Sequence, residues 1–272
     1  MRDDRNYSID GACAMCMDII KNAVGRLNLT NCIDSFANIE KKMQCGQCEL
    51  VLTKPLLLIE KNTSYNRLYY FRTNVDATED YVDVVQNLDR FANLYADVTT
   101  KSSFQYDGSI FEKMLFKPYR LYVRKIAKKT EKKFREMLTP VFADIADFDE
   151  IQRMLLDSFD VMSDHIPLSD ELKGFLNERK ILKIVIQKEI AGVLIFDDIG
   201  AQSYARCLCV SSKFQNGFVG YSLLARYFND RLKSGVKFYY LWVDSNNESV
   251  KKLHDAFGYR EDGLKNYIFK RG

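Results

Sequence analysis

The chain has 272 residues, 47% hydrophobic and 28% charged, with 40 Lys and Arg against 37 Asp and Glu for a formal net charge of +3. That is material for one large or two ordinary globular domains, and it excludes a collagen-like or low-complexity chain. So small a charge excess does not call for nucleic acid or an anionic membrane as a partner.

The N-terminus, M-R-D-D-R-N-Y-S-I-D, carries no secretory pattern, and no apolar run approaches a membrane span. The expectation is a soluble cytoplasmic protein. Its seven cysteines include two C-x-x-C pairs, Cys13/Cys16 and Cys45/Cys48. Such pairs suit a structural zinc site. The preferred reading is buried thiols, since Cys13 and Cys16 lie on an apolar helical pattern and free cysteine packs as a small hydrophobe.

In chain order, residues 11–44 read as two helices. Ile19, Ile20, Ala23 and Leu27 recur at helical spacing, as do Ile33, Phe36, Ile39 and Met43. Asn31 suits the cap of the second helix and Gly46 its end. Residues 50–60 and 67–73 read as strands joined by K-N-T-S-Y-N, a hairpin signal. A helix follows over 78–91, a strand over 94–99, a short helix over 110–116 and a strand over 119–126. The charge run K-K-T-E-K-K-F-R-E at 128–136 marks the boundary between residues 1–135 and 136–272, and reads as a solvated linker.

The pattern then restarts. Residues 141–145 read as a strand, with D-F-D-E opening a helix that runs to Phe159. A second helix covers 172–178. Residues 181–187 and 191–196 form a hairpin about Lys188-Glu189. Further strands fall at 204–210, 238–243 and 264–270, and a helix at 248–257. Cys207 and Cys209 alternate with Leu208 across a strand.

Between the strand at 204–210 and an amphipathic run at 223–232 lies V-S-S-K-F-Q-N-G-F-V-G-Y-S-L-L. A glycine-bearing turn into a helix leaves backbone N–H groups at the helix N-terminus, where the dipole favours an anion. The bland alternative is an ordinary strand–turn–helix with a structural glycine. The stretch resembles motif A of the GNAT acyl-CoA N-acyltransferases, V-x-P-x-Y-R/Q-x-x-G-x-G/A-x-x-L-L. Val210, Phe214, Gln215, Gly220, Leu223 and Leu224 match. Ser212 stands for the proline and Phe218 for the first signature glycine, with Gly217 one place earlier as a compensating glycine. A second GNAT signature, N-x-x-A-x-x-L-Y-x-x-x-G-F, resembles residues 247–259. There Asn247, Leu253 and Gly258 match, Val250 replaces alanine, Tyr259 replaces phenylalanine, and His254 takes the tyrosine's place.

The resemblance implies an α+β GNAT fold, a mostly antiparallel sheet flanked by helices, over residues 136–272. The ending of the N-terminal half, S-I-F-E-K-M-L-F-K-P-Y-R-L-Y-V-R-K-I, repeats the helix–turn–strand ending of the chain. Two tandem lobes are therefore expected, the first a degenerate lobe with no coenzyme turn. The resemblance places acetyl-CoA on Leu208, Cys209 and Val210 for the thioester and pantetheine. It places the pyrophosphate on Gln215, Asn216, Gly217, Phe218, Val219, Gly220 and Tyr221, with Asn247 capping its helix or donating to the ligand. His254 becomes the candidate general acid, whose ordinary pKa near 6.5 suits proton transfer at neutral pH; the alternative is a partly buried structural histidine. Asp197, Asp198 and Glu189 lie near the relevant hairpin, with nothing to aim them at a substrate, and His165 reads as an exposed loop residue. Trp242 is expected in the core. The implied activity is transfer of an acetyl group from acetyl-CoA to a primary amine. The alternative is a catalytically inactive GNAT module acting through ligand or partner binding.

Overall fold

The computed structural model describes residues 27–31, 36–53, 56–62, 64–73, 81–101, 109–167, 169–215 and 217–272. They divide into two compact units: Met1–Leu121 with Asn266–Gly272, and Tyr122–Lys265. The reading of a helix at 11–26 and Cys13, Cys16 and Asn216 fall outside the described residues. Among the described residues no helix is long and apolar enough to cross a membrane.

In the first unit the order is β1 (Leu27–Thr30), α1 (Phe36–Gln44), β2 (Cys48–Val51), β3 (Leu56–Lys61), β4 (Asn66–Thr73), α2 (Val82–Leu88), β5 (Leu94–Lys101) and α3 (Ser109–Lys113). Strands β2, β3 and β4 are antiparallel neighbours. Strand β5 runs parallel to β4, but they share only the rungs Asn66↔Leu94 and Arg67↔Tyr95. Past that fork, β1 takes the edge of β4, pairing Thr30 with Phe71. Between fork and β1, the buried Asn31 carboxamide stands in for a strand. It donates to the Leu68 carbonyl and accepts from the Tyr70 N–H, both at 2.8 Å.

This corrects two expectations. Leu27 belongs to a strand rather than a helix face, and Asn31 satisfies a sheet edge rather than capping a helix. The run at 50–60 is also two strands, β2 and β3, not one. Gly46 does end α1, at φ 69°, with Gly46 N–H bonded to Met43 O and Gln47 N–H to Lys42 O. That turn explains the Cys45/Cys48 spacing: Cys45 is exposed after the helix, and Cys48 is buried in the packing of Ile39, Leu58, Tyr69 and Phe71.

The second unit runs β6 (Lys117–Lys128, joining at Tyr122), β7 (Val141–Phe142), α4 (Phe148–Ser158), α5 (Ser169–Asn177), β8 (Ile181–Ile186), β9 (Glu189–Ile199), β10 (Gln202–Val210), α6 (Val219–Asp230), β11 (Phe238–Asp244), α7 (Glu248–Ala256) and β12 (Arg260–Arg271, leaving at Lys265). Its strand order is β6-β11-β10-β9-β8-β7. Only β10–β11 is parallel among the pairings in that series. The β8–β9 turn is tighter than read: Gln187 and Lys188 both take positive φ, at 52° and 68°, as a two-residue hairpin demands. The boundary read at 135/136 falls between β6 and β7, whereas the compact units divide at 121/122 and 265/266.

One face of this sheet packs on α6 and α7 through Leu223, Leu224, Tyr227, Phe228 and Phe257. The other packs on α4 and α5 through Ile151, Leu155, Leu172 and Phe175. Helix α6 lies unusually close to β9, because a Cβ on Gly192 would sit 2.6 Å from Val219 Cγ1 and 2.9 Å from the Cys209 carbonyl.

Two substitutions test these contacts by denaturant unfolding. Asn31→Ala leaves a buried carbonyl and N–H without partners and should cost about 1–3 kcal/mol. Gly192→Ala must push backbone and helix apart and should cost about 1–3 kcal/mol. Wild-type stability in either variant refutes the corresponding contact.

Candidate functional site

Strand β10 has nine residues and β11 seven, yet they share only Gln202↔Phe238, Ser203↔Tyr239 and Tyr204↔Tyr240. The last rung carries a stacked pair: the Tyr204 and Tyr240 rings lie 4.7 Å apart and 2° from parallel. Just beyond it the ladder from β10 to β9 slips between Ala205 and Cys207. Arg206 is the extra residue, and such a bulge bends its strand. Leu208, Cys209 and Val210 remain laddered to Leu194, Val193 and Gly192. The other edge of β10 turns away from β11, and alternate N–H and C=O groups along it face the fork. The bulged Arg206 also braces the loop between α4 and α5: its Nη2 donates to His165 O at 3.1 Å and its Nη1 to Glu171 at 2.7 Å.

The chain leaves β10 through a 3₁₀ turn at Ser212–Phe214 and enters α6 at Phe218. The Phe218 carbonyl accepts the first helical bond, from Ser222 N–H at 2.8 Å, and no side chain among the described residues caps the helix. The N–H groups of Val219, Gly220 and Tyr221 therefore have no intrahelical acceptor. They point from the positive end of a 12-residue helix. Gly220 is buried, and a Cβ there would meet Leu253 Cδ2 at 3.2 Å and Val210 Cγ2 at 3.6 Å. Its smallness serves the contact of α6 with β10 and α7. The left-handed turn falls on Phe218 itself, φ 61°, and not on Gly217. Thus Phe218 keeps the backbone conformation a glycine would adopt and is 59% exposed, while Gly217 does not take that conformation. Gln215 and Gly217 are exposed in the same turn.

Helix α7 starts at the same end of the sheet. Asn247 caps it, accepting from Val250 N–H at 3.2 Å. Val250 and Leu253 are only partly buried, whereas His254 is 4% exposed. Its ring lies 5.7 Å from that of Tyr259. Burial, and then the charge of Lys125, push its pKa down to about 4. The expected ionisation near neutrality is therefore absent, and His254 is a neutral imidazole at pH 7. Among the described residues neither its Nδ1 nor the Tyr259 hydroxyl has a hydrogen-bond partner. Lys125 is buried too, paired with Asp255 and donating to Lys251 O at 3.2 Å.

No family model matches the chain, and no curated protein does. Solved structures do. A GCN5-related N-acetyltransferase from Sphaerobacter thermophilus is 12% identical with a TM-score of 0.60, over 88% of this chain and 85% of that one. A tandem GNAT protein from the clavulanic acid biosynthesis pathway is 9% identical with a TM-score of 0.58, over 96% and 94%. A GCN5-related N-acetyltransferase from Kribbella flavida is 10% identical with a TM-score of 0.52, over 96% and 95%. The chain has the GNAT fold. Its match to a tandem GNAT protein over nearly the full length supports two lobes, and the element order β3-β4-α2-β5-α3-β6 repeats β9-β10-α6-β11-α7-β12.

Within this GNAT fold the other singled-out residues separate clearly. Asp197 pairs with Lys180 at 2.7 Å, Asp198 with Arg231 at 3.0 Å and Glu189 with Lys213 at 2.8 Å. Asp197 and Asp198 lie opposite Tyr204 and Ser203, before the strands part. His165 takes a positive φ of 49° in the braced loop. Cys207 and Cys209 alternate with Leu208 as buried residues, and burial pushes the Cys207 thiol up to about 12; neither suits a nucleophile. Trp242 corrects the reading: it is half-buried on the face it shares with Tyr240 and Asp244, outside the core clusters. Among the described residues no group of three or more His, Cys, Asp or Glu could hold a metal ion. Sequence reading missed Arg206 and Gly192; a strand bulge and a helix's closest approach leave no periodic signal.

The lowered pKa of His254 has a signed consequence. Above pH about 6.5 the imidazole is neutral in folded and unfolded chains, and its contribution to stability is constant. Between about 6.5 and about 4 only the unfolded chain takes up the proton, so stability falls by about 1.4 kcal/mol per pH unit from this group. His254→Gln should remove that part of the acid slope in unfolding measured from pH 7 to 4. One of the two imidazoles should titrate near 4 by NMR; a midpoint for His254 near 6.5 contradicts its burial.

Proposed function

We propose that the second unit binds acetyl-CoA across the β10–β11 fork and transfers its acetyl group directly to a primary amine. The observation that carries this reading is a coincidence of place. The parted edge at Leu208, Cys209 and Val210, the uncapped N–H groups of Val219, Gly220 and Tyr221, and the start of α7 at Asn247 all lie at one end of the sheet. Ligands of open α/β sheets sit where neighbouring strands part in this way. The parted edge offers backbone donors and acceptors to the pantetheine amides and the thioester carbonyl. The first turn of α6 offers the N–H groups of Val219, Gly220 and Tyr221 to the pyrophosphate.

In the transfer step the lone pair of the neutral amine attacks the thioester carbonyl, an N–C bond forms as the C–S bond breaks, the nitrogen gives up one proton to solvent, and the thiolate leaves, held by a hydrogen bond and then protonated from solvent. With its pKa near 4, His254 acts here as a neutral N–H donor rather than as an imidazolium acid.

The first unit supports a single coenzyme per chain. Its fork is closed by the chain's own β1 and Asn31. Its post-fork helix α2 has seven residues, with Asp83 in the first turn, where a negative charge repels a phosphate. One observation favours a second reading, a ligand-binding or interaction module without catalysis: the exposed Phe218 ring stands where the motif has glycine.

Calorimetry with acetyl-CoA should give one site per chain. Acetyl-pantetheine, which lacks the pyrophosphate, should bind about 100-fold more weakly, the value of two lost charge-assisted bonds at about 1.4 kcal/mol each. Thiol release with an amine panel then separates enzyme from module. Two sites per chain refute the assignment to the second unit alone, and equal affinity for the two ligands refutes the N–H cradle.

A further inference from the structure

On β11 the side chains of Tyr240, Trp242 and Asp244 share one sheet face, all half-buried, while Tyr239, Leu241 and Val243 are buried on the other. That face begins at the Tyr204–Tyr240 stack, where the strands part, and continues along the unpaired half of β11. It is therefore a flat aromatic surface ending in a carboxylate.

The charges around it are settled one by one. On β6, Arg124 lies opposite Trp242, and its guanidinium is held by Asp262, with Nε at 2.9 Å. Arg206 is held by Glu171. Asp164 accepts the Tyr122 hydroxyl at 2.6 Å, and Tyr122 lies opposite Asp244. Asp244 itself accepts only a backbone N–H, from Asn246 to its Oδ1 at 2.8 Å, and no lysine or arginine among the described residues pairs with it. Arg124 and Arg206 are thus both paired, and the Asp244 carboxylate has no lysine or arginine partner among the described residues.

We propose that this surface is the acceptor site of the transfer reaction, and that it takes an alkyl- or arylalkyl-ammonium. The ammonium lies against Asp244, and its flat or apolar body lies across Trp242 and Tyr240. The proposal rests on the transfer reading for its role in a reaction, but the amine surface stands or falls by itself. Carboxylate and aromatic face act together on such a ligand: the first supplies a charge-assisted hydrogen bond, the second apolar contact and attraction for a cation. An acidic acceptor would meet Asp244 with like charge, and a polyhydroxylated one would strand its hydroxyls on the rings.

Trp242 is the single tryptophan of the chain, so its emission reports on this surface alone. The full-length protein, without coenzyme, is titrated with 2-phenylethylammonium, 2-phenylethanol and 3-phenylpropionate. The ammonium should change the emission saturably, the alcohol should bind about tenfold more weakly or worse, and the carboxylate should not bind. Asp244→Asn, nearly isosteric, should bring ammonium and alcohol to the same affinity, while Asp244→Glu retains a preference for the cation. The proposal is overturned if the three compounds bind alike, if none moves the emission, or if Asp244→Asn binds the ammonium as wild type does. Acetyl-CoA affinity, measured separately, decides the transfer reading: its loss leaves the amine surface intact, and an absent amine preference leaves coenzyme binding intact.

Discussion

A strand edge inside a protein has to be satisfied. Both units contain a parallel pair that parts after two or three rungs, β4–β5 and β10–β11, and each fork exposes a row of backbone N–H and C=O groups. Leaving such groups unpaired away from water costs free energy comparable to a lost hydrogen bond each. The units meet that constraint differently. In the first, β1 and the Asn31 carboxamide complete the edge of β4 from within the chain. In the second, the bulge at Arg206 turns the edge of β10 away from β11. The same topology thus yields a strand edge completed from within the chain in one unit and an open edge in the other.

An open edge is useful only if what surrounds it is held still. Helix α6 is fixed near both ends. Close to its start, Val219 lies against Gly192, a contact that any Cβ would break. At its end, the buried Arg231 guanidinium lies 3.9 Å from the Phe196 ring centroid and 4.3 Å from that of Tyr227, and bonds Asp198 and Ser203. Helix α7 is tied to β6 by Lys125, buried between Asp255 and the Lys251 carbonyl. The N–H groups of residues 219–221 therefore sit on a rigid base, as preorganised electrostatic recognition requires. Phe218 bears the local strain. A non-glycine residue in the left-handed region costs about 1 kcal/mol, and the packing behind it holds it there.

Much of the second unit was legible because its signals are local. Alternation marks β10 and β11, helical spacing marks α4 and α7, and Asn247 and Gly258 punctuate a helix as chemistry requires. What stayed hidden depends on neighbours distant in sequence. Leu27 fits a helical spacing, yet its backbone pairs with Thr73. Trp242 reads as core by composition, yet the parting of two strands leaves it half-exposed. The environment of His254 depends on Lys125, 129 positions away (254 − 125). A motif gives the residue its place on the helix; its pKa belongs to the packing.

That packing bears on how the proposed reaction handles its protons. Protonating a buried imidazole beside Lys125 places a second cation in a poorly solvated site, which is why the pKa falls. The departing thiolate, by contrast, is an anion, and an anion lying close to Lys125 and His254 would relieve the same repulsion. A neutral ring with one N–H can meet the thiolate with a hydrogen bond from the start, and no proton need be stored on it beforehand. The nitrogen of the acceptor must shed its own proton elsewhere. The half-exposed face of β11, with the carboxylate of Asp244, lies on the opposite side of the sheet from the α6–α7 packing that buries His254. Under the proposed reaction, proton loss and thiolate stabilisation would fall on separate faces of the fork, the first on the half-buried face of β11 and the second on the buried face packed by α6 and α7.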